Sequence, residues 1–264
     1  MFDEGMDFLS QFQLHGKRAL VCGASQGIGE ACARVLAQAG AQVCLLARQK
    51  EALEKIKSEL PGSGHQVVAL DLAKTSELES QLKSFLPVHI LVHNAAGPKA
   101  GPLLEAHSED FLAGLQIHLL SAQKLAQICL PGMKEARYGR VINIISTSVK
   151  TPLANLGVSN TIRGAMASWA KTLANEVGAA GITVNNVLPG YTRTSRLESL
   201  RKSAAEAKQI PEAQIENQWK ASVPLQRFAE PAEIAMAVAF LASPAAAYIS
   251  GINLPVDGGR TPSL

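Results

Sequence analysis

The chain has 264 residues, 47% of them hydrophobic and 18% charged, with a formal net charge of +3. That is enough chain for one large α/β domain, and its cations are scattered, which excludes the basic footprint of a nucleic-acid binder. No apolar run is long enough to span a bilayer, and the start lacks the basic-then-apolar order of a secretory signal, so a cytoplasmic protein without membrane contact is expected.

In chain order, residues 1–14 form an N-terminal extension, either a docking segment or a frayed end. "RALVCGA" (18–24) reads as a strand. "GIGEACARVLAQAG" (27–40) follows it, with apolar residues at helical spacing and a closing glycine. Strand "AQVCLLAR" (41–48), helix "QKEALEKIKSEL" (49–60), strand "HQVVALDL" (65–72), helix "SELESQLKSFL" (76–86) and strand "VHILVHNAA" (88–96) continue the alternation. Then come a long helix over 109–133, strand "GRVINIIS" (139–146), a second long helix over 160–178, strand "ITVNNVLP" (182–189) and strand "INLPVDGG" (252–259). Seven mostly apolar strands alternating with helices predict a doubly wound parallel sheet of Rossmann type, covered by helices on both faces, in one domain over 1–264. Residues 196–224 break the rhythm. They are polar, helical and hold Pro211, and read either as a helical lid over a pocket or as a surface excursion. Cys22, Cys32, Cys44 and Cys129 form no CxxC pair, so no metal site is expected and each reads as a small buried hydrophobe in a reducing compartment.

The chemistry begins in "VCGASQGIGEA", which sets Gly23, Gly27 and Gly29 between a strand and a helix. A dinucleotide pyrophosphate needs glycine there because the turn is tight and the backbone must approach an anion at a helix N-terminus. The second strand ends in Ala47-Arg48 with no acid to repel a 2′-phosphate, and Arg48 suits that phosphate, so NADP(H) is favoured over NAD(H). Asp71, ending the third strand, suits the adenine amino group or serves only as a turn residue.

"CGASQGIG", "ALDL", "LVHNAAG", "GRVINIIS", "LPGYTRT" and "ISGINLPVDGG" occur in that order. Together they resemble the short-chain dehydrogenase/reductase family, and within it the 3-oxoacyl-carrier-protein reductase type, over about Lys17 to Gly259. The resemblance implies NADP(H)-dependent carbonyl reduction or alcohol oxidation, on a 3-oxoacyl-thioester-like or other small carbonyl substrate, in a homotetramer or homodimer. By motif it assigns Gly23, Ser25, Gln26, Gly27, Ile28 and Gly29 to the cofactor phosphates and ribose, and Asp71 and Leu72 to adenine. Asn94 and Ala95 would line the adenosine-side ribose and the crevice, with Pro189, Gly190 and Thr192 beside the nicotinamide.

The family's catalytic set is Asn, Ser, Tyr and Lys. Here the matching positions hold His118, Ser146, Ser159 and Arg163, so one of four is the usual type. Serine is a far weaker acid than a phenol, and guanidinium holds its proton. Tyr191, at a strand end, and His118, as a proton relay, are the conceivable replacements, each with a bland reading as a packed side chain. The same cluster also suits an anionic ligand such as a carboxylate. Two readings follow: an atypical oxidoreductase, or a catalytically silent nucleotide- or anion-binding protein on the same fold.

Overall fold

A computed structural model describes residues 7–263. Its seven strands are β1 (Arg18–Cys22), β2 (Gln42–Ala47), β3 (Gln66–Ala69), β4 (Ile90–His93), β5 (Gly139–Ile144), β6 (Ile182–Pro189) and β7 (Asn253–Val256). They form one all-parallel sheet in the order β3-β2-β1-β4-β5-β6-β7. The order reverses between β1 and β4, and the crevice outside the carboxyl ends of those strands is where such sheets bind ligands.

The pleat explains the near-continuous apolar strands. Ala19 and Val21 of β1 and Val43 and Leu45 of β2 face one core. Leu20, Cys22, Cys44 and Leu46, one residue out of phase, face the other. The first core is closed by α1 (Gly27–Gln38), α2 (Lys50–Glu59) and α9 (Pro231–Ala242), through Cys32, Leu36, Leu53, Ile234 and Val238. The second is closed by α3 (Leu78–Leu82), α5 (Ser121–Glu135) and α6 (Gly157–Val177), through Leu78, Leu125, Cys129 and Leu173. Each fully buried aliphatic side chain contributes about 1.5–3 kcal/mol, so a one-residue slip in a strand would exchange the two core faces at great cost. All four cysteines are buried and unpaired, and burial pushes Cys32, Cys44 and Cys129 up to about 12, which leaves them inert thiols.

Local chemistry sets the boundaries. α1 stops in a Schellman turn: Ala41 N–H donates to Leu36 O and Gly40 N–H to Ala37 O, with Gly40 at φ +97°. The helix expected as continuous over 109–133 is instead α4 (Ser108–Leu115), one π turn over Gln116–Leu120, and α5. Helix 76–86 is only α3 and a 3₁₀ turn, Lys83–Phe85. The last strand stops at Val256, because Gly258 and Gly259 both take positive φ and turn the chain. Of the N-terminal extension, residues 1–6 lie outside the described residues. Its remainder docks, with Leu14 buried and its N–H donating to Ala39 O, and with the Phe12 ring 6.5 Å from that of Phe240. Residues 196–224 resolve into α7 (Ser195–Lys208) and α8 (Glu212–Ala221), hinged at Gln209 (φ +53°) and Pro211 and tied by Arg201 to Glu212 and Glu216.

Candidate active site

At the end of β1 the chain turns through Gly23 (φ +60°) and Gly27 (φ +58°) into α1, both in the left-handed region that glycine alone takes freely. A Cβ on Gly29 would stand 2.1 Å from Gly23 O, so helix and turn touch through this residue. Asn94, just past β4, donates from Nδ2 to Gly23 O at 3.3 Å and fixes the turn against the crevice. Gln26 occupies the N-cap without a side-chain cap bond, so the first N–H groups of α1 are left to an incoming acceptor. The N-terminal end of a helix and a turn with no Cβ in the way fit a pyrophosphate. Ser25 and Gly27 are half-buried at the rim, and Ile28 packs on the first core.

At the adenosine end, Arg48 follows β2 with its side chain 74% exposed and Nη1 3.9 Å from Asp71 Oδ2. Asp71 Oδ1 accepts from Ala73 N–H, so this carboxylate also closes a turn. The Leu72 side chain belongs to the second core rather than to the crevice, and half-buried Ala95 packs against the same core.

At the opposite end, Pro189 closes β6 and Gly190 sits against Asp257, whose Cα a Cβ would meet at 2.6 Å. Thr192 is buried and donates to Gly190 O, so its hydroxyl is engaged within its own loop. Thr194 is the threonine that faces the crevice. It N-caps α7 by accepting from Leu197 N–H, and its Cγ2 stands 3.1 Å from where a Gly27 side chain would begin. Arg196, in the first turn of α7, donates to Pro98 O at 2.7 Å. Thr194 and Arg196 therefore carry the start of α7 across the crevice, from the glycine turn to the segment after β4. The motif "LPGYTRT" ends on Thr194 but does not reach Arg196.

Between these ends lie the candidate catalytic side chains. Ser146 follows β5 and accepts from Ser148 N–H. Ser159 and Arg163 are buried one turn apart on α6. Arg163 is only 7% exposed, donates from Nη1 to Ile144 O at 3.0 Å, and among the described residues has no partner for Nε. Burial, and then the Arg196 charge, pull its guanidinium down to about 10, still charged at neutral pH. His118 sits in the π turn, fully buried, with neither ring nitrogen in a hydrogen bond of good geometry. Burial pushes it to about 2, helped by Arg163 and His93 and opposed by the Ala96 backbone. His93 is buried beside it, with Nε2 2.8 Å from Ser121 Oγ, and burial followed by Arg163 lowers it to about 3.

Those values count against a relay through an imidazolium at position 118. The other expected replacement also fails on geometry. Tyr191 stacks on Trp219 at 4.8 Å, its hydroxyl accepts from Arg260 Nη2, and burial raises its pKa above the usual phenol value. Of the other tyrosines, Tyr138 donates to Ala242 O at the end of α9 and Tyr248 is fully exposed. Among the described residues no phenol faces Ser146.

The two histidines make a stability prediction. Both are depressed in the folded state relative to the ordinary 6.5, so the unfolded chain binds more protons between pH 6.5 and about 3. Stability is complete above pH 6.5 and falls as pH drops toward the folded values, by about 2 kcal/mol per histidine at pH 5. Urea unfolding at pH 7.5 and 5.0 should show this loss, and His93→Asn or His118→Asn should each remove part of it. An unchanged pH dependence in both variants would refute the assignment.

The family profile described as enoyl-(acyl carrier protein) reductase matches residues 23–261. The chain is 36% identical over 252 residues to a 3-oxoacyl-[acyl-carrier-protein] reductase of Vibrio cholerae, covering 93% of this chain and 98% of that one. The chain belongs to the short-chain dehydrogenase/reductase family. Two solved structures of short-chain dehydrogenases/reductases superpose over nearly its whole length. L-sorbose reductase from Gluconobacter frateurii, complexed with NADPH and L-sorbose, gives a TM-score of 0.89 at 30% identity, over 96% of this chain and 100% of that one. A 3-oxoacyl (acyl-carrier-protein) reductase from Agrobacterium tumefaciens with NADP bound gives 0.86 at 26% identity, over 98% and 100%. The expected family and the doubly wound seven-stranded fold both hold. Among the described residues no helix is long and apolar enough to cross a membrane.

Proposed function

We propose that this short-chain dehydrogenase/reductase binds NADP(H) in the crevice at the β1/β4 switch and interconverts a small ketone and its alcohol. A 3-oxoacyl-thioester-like ketone and a sugar ketone both fall in that class. The observation that carries the reading is the glycine turn with its uncapped helix: Gly23, Gly27 and Gly29 leave the α1 N–H groups open to a pyrophosphate. Ser25, Gln26 and Ile28 complete that turn. Asn94 anchors it, and Thr194 with the start of α7 reaches over it, which supports the reading of 196–224 as a lid. Bound NADPH would supply the hydride. Ser146 and Ser159 would donate hydrogen bonds to the substrate oxygen, and the Arg163 charge would favour the alkoxide that forms there. Among the described residues none replaces the phenolic acid, so slow turnover is expected of this chain. That absence also favours a second reading, a silent NADP-binding protein in which the same crevice reads the cofactor without chemistry.

Arg48 decides the cofactor. Exposed and only loosely paired with Asp71, it is free to take a 2′-phosphate. A fluorescence titration should show NADPH binding at least about 10-fold tighter than NADH, with Arg48→Gln erasing the difference, since a charge-assisted contact is worth about 1.5–3 kcal/mol. Binding of neither nucleotide would overturn this function.

A further inference from the structure

The crevice holds two guanidinium groups, and among the described residues neither has a carboxylate at ion-pair distance. Arg163 is buried at its floor. Nη1 is committed to Ile144 O, while Nε has no acceptor. Arg196 stands at its roof on α7, half open to solvent, with one donor committed to Pro98 O. Pro98, which accepts from Arg196, also packs at Gly114 beside Ile162, the residue before Arg163, so both guanidinium groups border the same segment; the Arg196 charge disfavours the charged form of Arg163, and burial lowers the pKa of Arg196. The nearby histidines are neutral and bring no negative charge.

A buried charge without a counter-ion and a buried N–H without an acceptor are both costly, and native chains keep such groups where a ligand completes them. A nicotinamide ribose offers hydroxyls to Arg163 but no charge. The edge of the Arg163 guanidinium not committed to Ile144 O, buried Nε with Nη2, is a two-donor fork, the arrangement that takes both oxygens of a carboxylate side by side. Arg196 belongs to the lid, so an anion bridging the two would be bound as α7 closes.

We infer that the substrate of this site carries a carboxylate, held between the uncommitted edge of Arg163 and the guanidinium of Arg196. The inference rests on the NADP-dependent reading and names its substrate class: an oxo acid and the matching hydroxy acid. Neutral analogues lack the group that offsets the two cations, so they bind less well.

The test is calorimetric titration of the NADP⁺-loaded protein with short 2-hydroxy and 3-hydroxy carboxylates and with their methyl esters. An acid of one series should bind at least about 10-fold tighter than its ester, the size expected of one charge-assisted contact. Arg196→Met should lower that ratio severalfold while Arg163 remains, and Arg196→Lys, which keeps the charge but loses the fork, should leave it in between. Esters that match the acids, or acids that fail to bind protein shown to hold NADP⁺, would overturn the substrate class while the cofactor reading stands. Failure of NADP⁺ itself to bind would sink the cofactor reading instead. Acid binding to the cofactor-free protein would then still support the two-arginine site, and its absence would end that too.

Discussion

Gly29→Ala is expected to weaken NADPH binding by about 100-fold or more, the equivalent of losing two charge-assisted backbone hydrogen bonds. The cause is steric. The new Cβ would lie 2.1 Å from Gly23 O and 2.8 Å from Asn94 Nδ2, distances real Cβ atoms do not reach. What must give way is the Gly23 backbone itself, together with the Asn94 bond that fixes it. Alanine is the better helix former by about 1 kcal/mol, but that gain is smaller than the cost of moving a close-packed turn. Gly164→Ala supplies the contrast. It lies in α6, exposed, where a Cβ would meet nothing within 4 Å, so it should raise stability by about 0.5–1 kcal/mol. Paired melting curves and NADPH titrations check both. If Gly29→Ala binds NADPH as wild type does, this turn is not the phosphate cradle.

What is legible in the sequence follows from how locally each feature is determined. Strand and helix identities come from hydrophobic period, and period is imposed by the two cores, so seven strands read correctly from runs such as "RALVC" and "QVCLLA". The glycine turn is legible because left-handed φ at Gly23 and Gly27 and the close approach at Gly29 each need a residue without Cβ. The π turn at His118 is not. One residue added to a helical turn leaves the apolar pattern of 109–133 nearly intact, and only the placement of buried His93, Ser121 and Arg163 marks it. Preferring Thr192 to Thr194 fails for a similar reason. The two lie two residues apart in one loop, and which hydroxyl turns inward is decided by pairing of the loop with Ala229, far along the chain. Arg196 is silent in the sequence because its meaning depends on α7 lying over Pro98, a contact across 98 residues. Tyr191 misleads because its stacking partner Trp219 and its donor Arg260 both come from later segments.

Restoring the phenol and the ammonium should separate the two functional readings. In Ser159→Tyr with Arg163→Lys, reduction of a responsive ketone by NADPH is expected to rise about 10²–10⁴-fold, the usual worth of a positioned general acid. Among the described residues no phenol faces Ser146. Carbonyl reduction needs a proton at the oxygen as hydride reaches the carbon, and each candidate donor present has a physical reason to fail. Ser159 is an aliphatic alcohol. His118 and His93 are held neutral by burial, at about 2 and about 3. Tyr191 is stacked on Trp219, and burial raises its pKa more than the Arg260 charge lowers it. Arg163 stays protonated because its charged form is held by Ile144 O and its proton is not readily surrendered. A tyrosine at 159 would stand one helical turn from residue 163, where an ammonium lowers the phenol pKa by favouring the phenolate. Ser159→Tyr alone, with Arg163 retained, should recover part of the gain because the guanidinium supplies the same sign of charge. Stopped-flow single turnover isolates the chemical step, and near-UV circular dichroism checks that buried position 159 accepts the larger side chain. A rise in the double variant from no measurable wild-type rate would mark the natural chain as the silent form. A wild-type rate already equal to the variant would mean that proton delivery does not limit this enzyme, and that Ser159 and Arg163 are not what slows it.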